Sequence, residues 1–162
     1  MLYRPNLDAT NVAVRASGFD FVQFSRTSAG LPAMPDSIDG DAAAAIGRAA
    51  LTAGVTNSAV SGTYNMIDPD PARREIGLRR LAAIAKVCPA LGTSIITICT
   101  GTRDSDYMWR RHPENHSPEA WRSRISHTTN AGRIPPAPGG VLRFKPRRAP
   151  VPPRSARGPG AL

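Results

Sequence analysis

Cysteine is scarce in this 162-residue chain, and long apolar runs are missing. Cys88 and Cys99 lie in apolar surroundings and form no Cys-x-x-Cys pair, so we expect buried reduced thiols rather than a disulfide or a zinc site. No apolar run approaches the roughly 18 to 20 residues that cross a membrane. Residues 1–6 also lack the basic stretch and apolar segment that open a signal peptide. These absences predict a cytoplasmic protein that does not bind membranes.

Carboxylates are missing from the last quarter of the chain. Residues 1–120 contain 12 Lys and Arg and 12 Asp and Glu, so the formal charge of +9 lies entirely in residues 121–162. The same segment contains 8 of the 16 prolines. Because this composition disfavours both a continuous helix and a central strand, residues 123–162 are predicted to be a disordered tail rich in Pro, Arg and Gly.

Two interpretations of this tail remain open. A mixture of Arg, Pro, Gly and Ala is typical of GC-rich coding DNA read in a wrong frame, and Arg outnumbers Lys 19 to 2 in the whole chain. The alternative is a functional basic arm that binds the phosphates of RNA or DNA, or an acidic membrane. No aromatic side chains alternate regularly with these charges, so we favour the frameshift hypothesis and do not expect a nucleic-acid partner.

The first 120 residues alternate between strand and helix signals. β-Branched and aromatic residues between turn signals predict strands at residues 19–24, 55–60 and 93–99. The starts of these strands are separated by 36 and 38 residues, which is typical of right-handed βαβ units in a parallel sheet. We therefore predict an α/β fold with about three to four βα units of a (β/α)8 TIM barrel, which needs roughly 250 residues when complete.

Capping residues mark the predicted helices between these strands. Asp39 or Asp41 can begin the first helix, and Asp70 the second. A further helix is predicted to begin at Ser117, which precedes a proline in the first turn. Apolar residues recur at spacings of three and four along one face of the first two helices: Ala43, Ile46, Ala50 and Ala53, then Leu78, Leu81, Ala85 and Cys88.

The loops after the three strands are candidate binding segments, because barrel enzymes carry their reactive groups at the carboxyl ends of strands. Residues 25–27, 61–66 and 100–104 offer hydroxyl, amide and guanidinium groups, which suit a polyhydroxylated or phosphorylated ligand. Ordinary turn chemistry is the alternative. His112 and His116 are spaced for a metal site, but Pro113 interrupts a helix across them, so a surface loop is the preferred interpretation.

Four segments carry a family resemblance: residues 59–66, 91–93, 99–104 and 108–122. Together they resemble the sugar phosphate isomerase/epimerase family, whose xylose isomerase-like TIM barrels share the AP endonuclease family 2 superfamily. The resemblance covers roughly residues 15–122. It implies a barrel that binds Mn²⁺, Mg²⁺ or Zn²⁺ and isomerises or epimerises an aldose or ketose.

The resemblance also implies that parts of the family's catalytic site are missing here. Family members hold the metal with carboxylates on later strands, whereas this sequence has no acidic residue after Glu119. Residues 141–146 are similar to the family's next strand, with Lys145 at the position of the ligand carboxylate. We therefore expect a truncated, catalytically incomplete form without a metal site and with no assignable catalytic residue.

The expected function is that of the substrate-side scaffold of such an isomerase. Its partner would be a small sugar or sugar phosphate, contacted by Tyr64, Asn65, Thr100, Thr102 and Arg103. An endonuclease IV-like activity is an alternative, but the neutral first 120 residues indicate neither a multi-zinc cluster nor a basic groove. A partial barrel would also leave an open sheet edge, which predicts self-association.

Overall fold

Side-chain caps define where the helices of this chain begin. A computed structural model describes residues 6–134 and 140–144. Its helices are α1 (Leu7–Ala16), α2 (Gly40–Thr52), α3 (Pro71–Val87) and α4 (Pro118–Gly132). In each helix the first turn donates a backbone N–H to the side chain of the residue immediately before the helix; these caps are Asn6, Asp39, Asp70 and Ser117. The predicted starts of α2, α3 and α4 are therefore confirmed.

Four strands form one parallel sheet. They are β1 (Phe21–Phe24), β2 (Thr56–Ser61), β3 (Ile95–Ile98) and β4 (Val141–Phe144), in the spatial order β1-β2-β3-β4. The register aligns Phe24, Val60, Ile96 and Leu142 in a row across the sheet. Sequential parallel strands joined by helices are the arrangement of a partial TIM barrel, so the predicted fold class is confirmed.

The hydrophobic core lies between the helices and one face of the sheet. Phe24, Val60 and Ile96 are buried there against Leu81 and Ile84 of α3. The predicted helix stripes supply further core residues, since Ala43, Ile46, Ala50, Leu81, Ala85 and Cys88 are all buried. Apolar spacing alone therefore identified the inner faces of α2 and α3.

The opposite face of the sheet is polar and open. Gln23 of β1 donates a hydrogen bond from Nε2 to Oγ1 of Thr97 on β3, at 2.8 Å, across the intervening strand. Ser58 is exposed on the same sheet and donates its hydroxyl to the carbonyl of Val22. In a closed barrel this face would become the interior.

The structure differs from the sequence-based boundaries at both ends. Helix α1 was not predicted, because its buried side chains are Asn11 and Val14 rather than a stripe of large apolar residues. Two parts of the predicted tail have secondary structure: α4 continues to Gly132, and β4 pairs with β3 over Val141–Phe144. Residues 135–139 and 145–162, which include Lys145, lie outside the described residues.

The predictions about cysteine and membranes can be compared directly with the fold. Cys88 and Cys99 are both buried, and neither forms a disulfide, as expected. Burial raises the pKa of the Cys88 thiol to about 11, so this thiol stays protonated at neutral pH. Within the described part of the chain, no helix is both long and apolar enough to span a bilayer.

Candidate functional site at the carboxyl ends of the strands

The loops after β1, β2 and β3 lie at one end of the sheet, because the strands are parallel. We call this end the rim and define it by residues 25–39, 61–70 and 99–117. The three predicted binding segments all fall in it.

Asn65 joins the second rim loop to the third. Its Oδ1 accepts a hydrogen bond from the backbone N–H of Thr102 at 2.9 Å, and its Nδ2 donates to Oδ2 of Asp68 at 3.2 Å. The chain passes Asn65 closely at Gly101, whose φ of 78° is unfavourable for other residues. The side chain of Asn65 therefore fixes the separation of the two loops.

Thr102 and Arg103 hold the third rim loop from within. Thr102 is fully buried and donates its hydroxyl to Oδ1 of Asn115 at 3.0 Å, while the backbone N–H of Arg103 donates to the same oxygen at 2.7 Å. Asn115 lies in the short 3₁₀ helix Pro113–His116. One amide oxygen thus ties this turn to the strand end.

The guanidinium of Arg103 is fixed by a partly buried ion pair. Its side chain is only 7% exposed, and its Nη2 lies 2.9 Å from Oε1 of Glu119 in the first turn of α4. Its Nη1 donates to the carbonyl of Ile67 at 3.4 Å, whereas its buried Nε has no hydrogen-bond partner among the described residues. Asn115 and Glu119 were not predicted to be part of this site, because neither has a local sequence signal that links it to residue 102 or 103.

Two further residues of the predicted segments point into the core. Tyr64 is 6% exposed, and its ring lies against Gly77 of α3, where an added Cβ would come within 2.6 Å of the Tyr64 Cγ. Its buried hydroxyl has no partner in the part of the chain described, and desolvation raises the pKa of this phenol. Arg26 is 1% exposed and donates to the carbonyl of Ala33, and burial lowers its pKa to about 10.

Thr100, another predicted binding residue, lies two residues after the end of β3, and its side chain is half-buried. Asn65 is also half-buried. The structure therefore brings Asn65, Thr100, Thr102 and Arg103 together at the rim, with Thr102 and Arg103 behind the surface. Tyr64 lies beneath them.

A family model for the xylose isomerase-like TIM barrel matches residues 12–136, more than half of the chain. The chain belongs to this family. The predicted family resemblance is thereby confirmed, and it extends further at both ends than the segments that indicated it.

A solved structure of the same architecture matches this xylose isomerase-like chain at a TM-score of 0.57 and 18% sequence identity. It is the apo crystal structure of 3-keto-D-glucoside 4-epimerase, YcjR, from E. coli. The match covers 90% of this chain and 52% of that protein, so the chain spans about half the length of this neighbour. No curated protein matches the sequence.

Residues 6–134 and 140–144 contain no set of side chains that could bind the metal expected for the xylose isomerase-like family. No three His, Cys, Asp or Glu side chains come together there. His112 instead accepts the backbone N–H of Glu114 on Nδ1 and so caps the 3₁₀ helix that contains His116. The donor groups described do not fit a divalent cation.

Asp104 is the carboxylate most strongly held by the rim. Its Oδ1 accepts the backbone N–H groups of Tyr107 at 2.8 Å and Asp106 at 3.0 Å, and Arg110 lies 3.0 Å from Oδ2. The Tyr107 amide, followed by the Asp106 amide and Arg110, lowers the pKa of this carboxyl group. Ionised Asp104 therefore stabilises the third rim loop.

Asp104→Asn is expected to make the free energy of unfolding fall less steeply as the pH is lowered into the acid range. Because the folded-state pKa is lowered, the ionised group contributes stability above its unfolded-state pKa of about 3.9, and this contribution is lost as pH falls through the folded-state pKa. Urea unfolding between pH 7 and pH 3 measures the effect, with Asp106→Asn as the matched control. If the free energy of unfolding fell equally steeply with pH in the wild type and in Asp104→Asn, this account would be contradicted.

Proposed function

We propose that this chain binds a sugar or sugar phosphate at the rim, as the substrate-side part of an isomerase- or epimerase-like barrel. The observation that carries the proposal is the family match together with the position of the rim, because TIM-barrel enzymes bind substrates at the carboxyl ends of their strands. The sugar-epimerase title of the structural neighbour is consistent with this ligand class.

Thr100 and Asn65 are the proposed direct contacts. Both are half-buried, so a ligand could reach them, and hydroxyl and amide groups suit the hydroxyls of a sugar. Thr102 and Arg103 stabilise the loop that contains Thr100, because Thr102 bonds to Asn115 and Arg103 bonds to Glu119. A contact from Tyr64 would require its ring to leave the core and remains a prediction.

Binding of aldoses, ketoses and their phosphates can be measured by ligand-observed nuclear magnetic resonance. Thr100→Val keeps the shape of the side chain but removes its hydroxyl, so the dissociation constant should rise by about tenfold, the effect of one lost hydrogen bond. Thr52→Val is the matched control, because Thr52 is exposed at the end of α2, away from the rim. Equal affinities for the two variants would contradict the assignment of Thr100.

We further propose that these 162 residues alone do not complete the family reaction. The sequence has no acidic residue after Glu119, where the family's later strands supply metal-binding carboxylates. A colorimetric assay of aldose and ketose interconversion with added Mn²⁺ or Mg²⁺ should therefore give no turnover above the blank. Robust turnover by the purified chain would overturn this part of the proposal and leave the binding proposal intact.

A further inference from the structure

The parallel sheet has two outer edges, β1 and β4. In the described residues, neither edge has a neighbouring strand. Such edges present backbone N–H and C=O groups that can pair with another strand. The two edges differ in their surroundings, and this difference indicates what covers them.

A cavity of about 210 Å³ separates the edge strand β1 from α1. It is lined by apolar side chains of both elements, including Leu7 and Val14 of α1 and Val22 and Phe24 of β1. Asn11 also lines it; this residue is 4% exposed, and its Nδ2 has no hydrogen-bond partner among the described residues. The cavity is an apolar slot beside a strand edge, with one buried donor that lacks an acceptor.

The position of α1 indicates that a further strand of the sheet would lie at the slot. In a βα barrel each helix covers the groove between two adjacent strands. Helices α2, α3 and α4 each connect two neighbouring strands of this sheet, whereas α1 precedes β1 and, in residues 6–134 and 140–144, has a strand on one side only. The slot is where the second strand under α1 would lie.

At the other edge, no helix among the described residues covers the outer side of β4. The N–H of Val141 donates to the carbonyl of Ser94 on β3, so the alternating N–H groups of Leu142 and Phe144 point away from the sheet. Phe144 is 43% exposed although it is aligned with fully buried Ile98. No helix in the described part of the chain covers this ring as the core covers Ile98.

We infer that two copies of this chain close into one eight-stranded barrel, in which β4 of each copy pairs with β1 of its partner and lies beneath the partner's α1. A two-fold axis along the barrel keeps all strands parallel and creates two identical junctions. The described residues of two copies supply eight strands and eight α-helices, the composition of a complete (β/α)8 barrel.

This closure satisfies the groups that the single chain leaves exposed or unpaired. The paired β4 brings backbone carbonyls into the slot beside Asn11, and α1 of the partner covers Phe144. The open polar face around Gln23 becomes the barrel interior. The rim then contains the loops of both copies, so a sugar site at the rim is incomplete in one copy; the inference itself rests on the fold and not on the proposed ligand.

The oligomeric state of the full chain tests the inference. Light scattering after size-exclusion chromatography at micromolar concentration should give twice the chain mass of 17.2 kDa. Phe144→Pro removes an outward N–H and should raise the dimer dissociation constant by about tenfold or more, while β4 keeps its bonds to β3. Phe144→Ala is the matched control, because it removes the same ring but keeps the N–H, and it should weaken the dimer less.

A mixing experiment separates specific closure from general apolar association. Thr10→Trp fills the slot from α1, since Thr10 lines the cavity, and should also give monomers with an unchanged circular dichroism spectrum. Mixing Phe144→Pro with Thr10→Trp should restore a dimer that is weaker than wild type, because one of the two junctions then combines an intact β4 with an intact slot.

Three results with the unmixed proteins would overturn the inference. They are a wild-type chain that stays monomeric at 100 µM, open polymers in place of a dimer, and folded variants that dimerise as strongly as wild type. A mixture that stays monomeric although both variants are folded would also overturn it.

Discussion

Tyr64→Ala is expected to lower the free energy of unfolding by about 3 to 5 kcal/mol, the cost of truncating a buried aromatic ring. The ring of Tyr64 belongs to the core cluster and fills the space left by Gly77 on α3. Tyr64→Phe should instead leave the stability unchanged or slightly higher, because the buried hydroxyl has no partner among the described residues, and an unpaired buried polar group is unfavourable.

Urea unfolding of the wild type and both variants measures these two effects. The Tyr64→Phe variant also decides whether Tyr64 contacts the ligand. A hydroxyl that binds sugar would make Tyr64→Phe weaken binding by about tenfold, whereas a core ring leaves the affinity unchanged. A loss of 1 kcal/mol or more of stability in Tyr64→Phe would show that its hydroxyl has a partner in the folded protein.

The example of Tyr64 shows what local sequence can and cannot specify. The strand that ends at Ser61 and the helix that begins after Asp70 were predictable, because alternation and capping depend on neighbouring residues. The direction of the Tyr64 side chain depends on Gly77, thirteen residues further along the chain, where the missing side chain leaves room for a ring. A polar aromatic residue in a strand-end loop is therefore predicted to contact a ligand, because the local sequence does not reveal the space that Gly77 leaves for its ring.

The rim shows the same limit for polar residues. Position 103 was predicted to carry a binding guanidinium because arginine after a strand suits an anionic or hydroxylated ligand. Its pairing with Glu119 joins residues sixteen positions apart, and the bond from Thr102 to Asn115 spans thirteen. The two bonds require the loop to fold back on the 3₁₀ helix and on the first turn of α4, and no periodic pattern in the sequence predicts this.

The ends of the chain were harder to predict for a compositional reason. Helix α1 contributes Asn11 and Val14 to the interior, so its apolar stripe is too weak to identify. Residues 123–132 continue α4 although they contain only one large apolar side chain, Ile125, which is 50% exposed. The caps at Asn6 and Ser117 determine these two helices more than their apolar patterns do.

Gly101→Ala is expected to lower the free energy of unfolding by about 2 to 5 kcal/mol and to weaken ligand binding at the rim. A left-handed conformation costs a non-glycine residue about 1 to 2 kcal/mol, and Gly101 has φ 78°. An added Cβ would also lie 2.8 Å from the Asn65 Cα and overlap the Asn65 amide, and such overpacking costs about 1 to 3 kcal/mol. Because Asn65 joins two rim loops, its displacement should change the position of Thr100.

Gly92→Ala is a matched control that isolates the steric part of this effect. Gly92 has φ 79°, almost the same as Gly101, but nothing lies within 4 Å of its added Cβ. Its substitution should therefore cost only the conformational part, about 1 to 2 kcal/mol, and leave ligand affinity unchanged. If both variants lost equal stability in urea unfolding, the contact between Gly101 and Asn65 would not constrain the rim, and the loops after β2 and β3 would have to be held together by other bonds.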